Sequence, residues 1–342
     1  MSSENRIYDV IVVGGGPGGS AAAIACATAN LRVLLLEKSL FPREHPGETL
    51  HPGIEPLLEK LGVMAEVLSA GFLRHQGHWV KWDRDRQFVP FGADERGIWQ
   101  GFQAWRADFD RILLASAKAV GVDILQPCRV DRPIVCEGRT IGVETLQGNF
   151  TAAFVIDAAG SHHWLAKQLG LELKTYSSPL IANYGYVRGN CPPRDDAPAI
   201  VADDRGWTWT ARVRPELYQW TRLTFKPERI DRNWIPAELS QLQASGKSRG
   251  ADVTWRLVER PAGPGYFLVG DAAAVLDPAS SHGVLKAIMS GMMAASTIAQ
   301  MVDRTQCEDR VISTYCQWVH HWFESDLHRL EQLYALVDRQ NS

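Results

Sequence analysis

The 342-residue sequence contains no CxxC pair; its six cysteines, Cys26, Cys128, Cys136, Cys191, Cys307 and Cys316, stand singly. That spacing suits neither a zinc site nor a small disulfide framework, and it points to free thiols in a reducing cytoplasm. Charge of neither sign is in surplus: 36 Lys and Arg stand against 39 Asp and Glu, a net charge of −3, so there is no electrostatic footprint for nucleic acid. No segment repeats and none is of low complexity. Charged residues are missing altogether from Val10 to Leu31, a length that could span a bilayer. A Gly-rich turn and a β-branched start make a strand, a turn and a buried helix the better reading, with no membrane span. The N-terminal MSSENRIYDV is charged and runs directly into a strand, which argues against a secretory signal. What is present is an ordinary folded composition, 45% apolar and 22% charged, long enough for two domains or one large α/β domain with an insertion. Twelve Trp are the one surplus, available to line a pocket or to fill a core.

Tyr8–Val13 (YDVIVV) reads as a strand buried on both faces, followed by Gly14-Gly15-Gly16-Pro17-Gly18-Gly19, a small-residue helix over Ser20–Ala29, and a second strand ending at Glu37. Asn30 stands where that helix must turn left-handed to stop. This βαβ unit carries a GxGxxG between strand and helix with an acid at the next strand end. Gly14 permits the tight turn, Gly16 admits a pyrophosphate to the backbone, and Gly19 lets helix and strand pack. The helix N-terminus offers unpaired N–H groups to the phosphates, and Glu37 a carboxylate to a ribose hydroxyl. Far downstream, Gly270-Asp271 closes the buried strand Tyr266–Val269, and Asp277-Pro278 leads through Ser280-Ser281-His282 into a helix from Gly283. A second glycine approach and a second helix N-terminus suit a longer dinucleotide such as FAD; a plain strand-end turn is the alternative.

Between these motifs, Phe41–Gly53 is an irregular Pro- and His-rich connection. Gly53–Leu68 and Ala107–Val120 read as helices, Trp79–Pro90 and Leu180–Phe225 as strands, and Gly283–Met301 and Val311–Val337 as helices. The expected architecture is α/β: a Rossmann-like FAD-binding domain from residues 1–64, 98–170 and 255–305. An inserted β-rich substrate domain takes 65–97 and 171–254, and C-terminal helices take 306–342.

Five segments in this order, GGGPGGSAAA, FPREHPGETL, WRADFDRILLASAKAVGV, VIDAAG and GDAAAVLDPASSHGVLKAIMSG, make the chain resemble the FAD-dependent monooxygenase superfamily of para-hydroxybenzoate hydroxylase type. Within it the sequence is most similar to the branch of flavin-dependent halogenases and geranylgeranyl reductases. The resemblance implies that Gly14, Gly16, Gly19 and Glu37 bind the ADP half of FAD, with Pro17, Gly18 and Lys38 in the same motifs. It places Arg43 and Arg106 along the phosphates and ribityl chain, Val130 against the adenine, and Asp271, beside Gly270, on the ribityl hydroxyls. Pro278 to Val284, including Gly283, match the turn and helix start facing the flavin N1–C2=O edge, where a helix N-terminus stabilises the reduced ring. For Arg106 a surface cap on its helix is the other reading.

The departures shape the expected activity. Ala159 stands in Asp157-Ala158-Ala159-Gly160 where single-component hydroxylases carry an acid, and no second GxGxxG exists for NADPH. Reduced flavin is therefore expected from a separate flavin reductase. His75, in Gly71-Phe72-Leu73-Arg74-His75-Gln76-Gly77, stands at the approximate place of the halogenase lysine, and Lys81 falls out of register. The halogenase GWxWxIP motif survives only as Gly206-Trp207-Thr208-Trp209. The resemblance then implies oxygenation of an aromatic substrate, free or peptidyl, tryptophan among the candidates, through a flavin C4a-hydroperoxide. A halogenase, an isoprenoid-type double-bond reductase, and a maturation factor holding FAD as structure are the alternatives.

Candidate catalytic groups are His282, His51 and His75. An imidazole at His282 is expected to titrate near neutrality and act as acid or base, or else only to bond backbone or flavin oxygen. Trp79, Trp82, Trp207 and Trp209 are candidates to stack on the substrate, with core packing accounting for half of them. His162-His163 has no third ligand in sight and reads as a surface turn, so no metal is expected.

Overall fold

A computed structural model describes residues 8–82, 85–226, 228, 230–303 and 307–338; the charged N-terminal residues 1–7 lie outside them. Its helices are α1 (Pro17–Thr28), α2 (Glu55–Lys60), α3 (Met64–Ser69), α4 (Arg106–Ala119), α5 (Trp164–Gln168), α6 (Gly283–Val302) and α7 (Glu308–Asp338). The β-branched run Tyr8–Val13 is the middle of a parallel sheet. Val33–Leu36 and then Asp123–Leu125 flank it on one side, and Gly148–Asp157 and then Tyr266–Leu268 on the other. Val10, Ile11, Val12 and Leu35 are fully buried, because helices cover both faces of a parallel sheet. Strand order reverses between Tyr8–Val13 and Gly148–Asp157. At such a switch point the loops leaving the carboxyl ends of adjacent strands diverge and open a crevice.

The uncharged stretch from Val10 to Leu31 is thus divided among strand, turn and helix. Asn30 ends α1 at φ +62°, left-handed as the sequence predicts. The helix expected over Gly53–Leu68 is instead two short ones, broken where Gly62 takes φ +70°.

A second, mostly antiparallel sheet runs in the order Gln243–Ala244, Ile181–Arg188, Leu217–Thr224, Gly206–Arg214, Ala199–Asp203, Gly77–Lys81, Gln87–Pro90. A small three-stranded sheet (Thr49–Leu50, Gly101–Gln103, Leu73–His75) lies outside both. The stretch 65–97 is therefore shared between the small sheet and the second one. One face of the second sheet packs on the C-terminal half of α7, where Trp82, Ile200, Trp207 and Leu223 meet Leu327, Leu330 and Tyr334. Register puts Val80, Ile200 and Trp209 on this face and Trp79 with Ala199 on the other.

α6 is the one described helix long and apolar enough to cross a membrane; here it packs against α1. Their crossing is set by glycine. A Cβ on Gly291 would lie 2.2 Å from the Gly18 carbonyl oxygen, and one on Gly18 would lie 3.0 Å from that of Ala287. The two backbones touch, so any side chain there forces the helices apart. Gly291→Ala gains up to about 1 kcal/mol of helix propensity but sets a methyl against fixed backbone, where overpacking costs about 1–3 kcal/mol. The variant is expected to melt several degrees below the parent in a thermal scan; an unchanged or higher midpoint would show that the crossing has slack.

Candidate active site

The carboxyl ends of the parallel strands bring the predicted cofactor residues to one edge. Val13 runs into Gly14, at φ +105°, whose N–H bonds the Leu36 carbonyl at 2.8 Å. A Cβ on Gly14 would stand 2.5 Å from the Ala158 oxygen of the neighbouring strand-end loop, and one on Gly19 would stand 1.9 Å from the Gly14 oxygen. Only glycine fits either position. Gly16 is the N-cap of α1 with no side-chain cap, and Pro17 opens the helix. The first-turn N–H groups therefore face outward unpaired, and a Cβ on Gly16 would meet only the Arg43 guanidinium, at 3.5 Å. Glu37 is buried, with one carboxylate oxygen accepting the Gly15 N–H (2.7 Å) and the other the Ser39 N–H (2.8 Å). It shapes the loop and keeps spare lone pairs for a ribose hydroxyl. Lys38 beside it is exposed, and Val130 is buried at the start of the strand Val130–Cys136.

Arg106 is not a surface cap. It is buried at the first position of α4, bonds Asp110 through Nε and a terminal nitrogen (2.8 and 3.1 Å), and donates to the Pro46 carbonyl at 2.9 Å. Arg43 reaches the same Asp110 at 3.7 Å, yet its Nε is buried with no partner. Asp110, four residues after Arg106 in WRADFD, is a member of the site that the motif alone does not mark. Asp271 is solvent-accessible on this edge with protein on its other sides. Burial of its surroundings raises the carboxyl pKa, with Arg106 and Arg256 pulling it down. An uncapped helix start, an orphaned guanidinium nitrogen and an accessible acid between two arginines fit a pyrophosphate and a polyhydroxyl chain.

His51 and His75, far apart in sequence, meet at Phe91, and His282 packs on His51. Ring centroids lie 5.2 Å apart for His51 and His282, and 5.3 Å from Phe91 for both His51 and His75. Two further members carry no motif that marks them: Phe91 itself and His78, which stands 5.7 Å from Phe91 and 6.3 Å from Trp209. His51 accepts the Gly53 N–H through Nδ1 at 3.0 Å. His75 is 3% exposed, and neither ring nitrogen has a partner. It fits because Gly101 faces it across the small sheet, where a Cβ would lie 2.7 Å from its ring.

Burial lowers the pKa of every imidazole here. His75 falls to about 3, with His78, Arg74 and His51 adding repulsion, and His282 falls to about 4, with Asp326 opposing. His51 and His78 shift the same way. The expectation that His282 titrates near neutrality is thereby corrected: desolvation among other imidazoles keeps it uncharged. Its side chain makes no cap bond to α6 either, so the N–H groups of Gly283, Val284 and Leu285 are left without a side-chain partner. Pro278 is exposed in the turn just before it.

Of the four tryptophans, Trp209 is the one beside the histidines. Trp82 and Trp207 are core, and Trp79 lies on the far face against Phe88 (5.4 Å) and Arg86, so it is not part of this surface. The surface turn expected at His162-His163 holds for the exposed His162 and is corrected for His163. His163 is 1% exposed, donates through Nδ1 to the Ala272 carbonyl at 2.9 Å and accepts from Arg256 Nε at 2.8 Å. It ties the Gly270-Asp271 turn to the strand end at Asp157. Among the described residues no three His, Cys, Asp or Glu side chains, these histidines included, are placed so that they could hold a metal ion.

Comparison with known proteins agrees with this geometry. The chain is 29% identical to the tryptophan 2-halogenase of Chondromyces crocatus over 86% of its own length and 61% of that protein's. It is 28% identical to a 1H-pyrrole-2-carbonyl-[peptidyl-carrier protein] brominase of Pseudoalteromonas luteoviolacea, over 88% of this chain and 79% of the other. The chain thus spans about three-fifths of the first relative's length. The solved myxobacterial chondrochloren halogenase superposes with a TM-score of 0.81 at 26% identity, covering 90% of this chain and 78% of that one. A geranylgeranyl bacteriochlorophyll reductase-like protein of Thermoplasma acidophilum shares the fold, with a TM-score of 0.80 at 22% identity over 97% and 88%. The profile of the FAD binding domain family matches residues 7–322. The chain belongs to the FAD binding domain family, and FAD is its cofactor.

Proposed function

We propose that this protein oxygenates an aromatic substrate, using FAD reduced by a separate flavin reductase. Bound FAD, once reduced, supplies the two electrons with which O2 is split between the substrate and water. The chain's own contribution starts with the N-terminus of α6. Its uncapped N–H groups and positive dipole end stabilise negative charge on the reduced ring. Gly14, Gly16, Gly19, Arg43, Arg106 and Asp271 would hold the remainder of the cofactor. His51 and His282 stand ring against ring at the start of α6, and Phe91, His78 and Trp209 extend them into an aromatic surface on which a flat substrate would stack. Relatives named for tryptophan and for a carrier-bound pyrrole support an electron-rich heteroaromatic, free or tethered.

The observation that carries oxygenation is His75. Where the resemblance expects an ammonium to hold a halogenating species, a buried imidazole stands uncharged with both nitrogens unbonded. Lys81 is exposed at the end of its strand, on the face opposite Val80. Lys286, on α6, is committed to Asp326 and to the Trp322 ring. A neutral pocket can donate or accept single hydrogen bonds but offers no counter-ion to a halide or hypohalite. Halogenation is the second reading, favoured by the relatives' names. A further contrast is the strand-end acid Asp157, whose oxygens are spent on the Ala159 and Leu165 N–H groups, with no carboxylate beside them at Ala159.

Turnover with FAD, a flavin reductase, bromide and tryptophan or pyrrole-2-carboxylate under 18O2 separates the readings by mass. One 18O atom per product is expected. A brominated product without 18O would replace oxygenation by halogenation, and flavin reoxidation that yields only peroxide with every aromatic offered would leave FAD a structural role.

His75 also makes a thermodynamic prediction. Its folded pKa lies below the unfolded value near 6.5, so the unfolded chain takes up the proton first, and this stabilisation is full above pH 6.5 and lost as pH falls toward about 3. His75→Gln removes that dependence. Relative to the variant, the parent should lose about 1.4 kcal/mol for each pH unit below 6.5, read from denaturant midpoints at pH 6.5, 5.5 and 4.5. A parallel pair of curves would mean that His75 protonates freely in the fold.

A further inference from the structure

The turn that carries the α6 N-terminus is held from behind by one carboxylate. Asp277 is fully buried, and its three donors come from three separate parts of the fold. One oxygen accepts the Ala279 N–H of its own turn at 2.7 Å. The other is shared by the Trp207 indole N–H of the second sheet, at 3.4 Å, and the hydroxyl of Tyr334, three turns beyond Trp322 on α7. We propose that Tyr334 is a positioning residue for the flavin: through Asp277 it fixes the 277–282 turn, and so sets how the N-terminus of α6 meets the reduced ring. This rests on the reading that the α6 N-terminus faces the flavin.

The turn has little else to define it. After the 3-10 segment Pro278–Ser280, Ser281 adopts φ +59°, a left-handed conformation an L side chain holds only when its surroundings enforce it. His282 gives α6 no side-chain cap, so the leading N–H groups are located by the backbone that precedes them. Tyr334 is aimed by packing, its ring 4.7 Å from Phe225 and 5.2 Å from Trp255, so the hydroxyl cannot swing away at low cost. The groups facing Asp277 are Tyr334, Trp207 and the Ala279 N–H, with no charged side chain among them. Burial pushes its carboxyl pKa up to about 6, and those donors, Tyr334 first, pull it back. Without the hydroxyl the carboxylate loses a donor it cannot replace from solvent, takes a proton more readily, and the turn loosens. The last helix of the chain thereby acts on the cofactor without touching it.

The test is the midpoint potential of the bound flavin in the FAD-loaded protein, measured without substrate so that the outcome does not depend on what the pocket oxidises. Tyr334→Phe keeps the packed ring and removes only the hydroxyl. The ratio of reduced to oxidised FAD affinity is expected to fall about tenfold, equivalent to about 30 mV more negative for a two-electron couple. Asp277→Asn, which keeps the shape of the side chain, should give the same shift, and the double variant no more than either alone. An unchanged potential in Tyr334→Phe, whatever its melting temperature, overturns the proposal, as do additive shifts in the double variant. Gly283→Asp separates this failure from failure of the underlying reading. A Cβ at Gly283 meets nothing within 4 Å, so the acid is accommodated and its charge opposes that of a reduced ring at the helix start. If Gly283→Asp lowers the potential and Tyr334→Phe does not, α6 faces the flavin and Tyr334 does not position it. If neither does, the flavin ring lies away from α6.

Discussion

Everything at the candidate site depends on two helices meeting at backbone contact. Because Gly18 and Gly291 carry no side chain, α1 and α6 cross with nothing between them, and their N-termini open on the same edge of the parallel sheet. The Gly14 turn locks against the Ala158 loop, so this edge has two glycine-built walls and two uncapped helix starts. One start suits a pyrophosphate and the other the electron-rich edge of a reduced ring. A cofactor with a pyrophosphate in its middle and a ring that becomes anionic at one end matches both, which is the physical sense of FAD in this fold.

The second organising constraint is desolvation. Three histidines around one phenylalanine, with a fourth against His51, would form a strongly basic cluster if they were hydrated. Buried and mutually repelling, they stay neutral, and their pKa values fall rather than rise. This turns the site from a proton store into a set of uncharged hydrogen-bonding edges, with Trp209 beside them. The same lowering of dielectric that makes a neutral imidazole comfortable would make an unpaired lysine ammonium costly at that place.

The local part of the architecture was legible in the sequence because its determinants are local. The Gly14–Glu37 unit needs only a strand, a turn and a helix in succession, and both strand alternation and glycine spacing report those directly. Arg106 was placed by motif, but its burial and its grip on Asp110 required the packing of α4. What stayed hidden depends on contacts between distant segments. The neutrality of His282 is created by His51 and by burial, neither of which its neighbours in sequence reveal. His163 looked like a surface turn because the Arg256 that buries it lies 93 residues away. Trp79 and Trp209 are indistinguishable as residues, and only the register of the second sheet puts them on opposite faces. Tyr334 reads as one more apolar position on an amphipathic helix; its hydroxyl acquires meaning only through Asp277.

The claim on which the account turns is that the imidazoles of the pocket are uncharged at working pH. Nitrogen-15 NMR of the histidine-labelled, FAD-loaded protein reads this state directly, with His75 and His282 assigned by single substitution. The account predicts that both keep the signature of a neutral ring from pH 7.5 down to pH 5.5. A His75 or His282 that takes on the signature of a protonated ring within that range would contradict it.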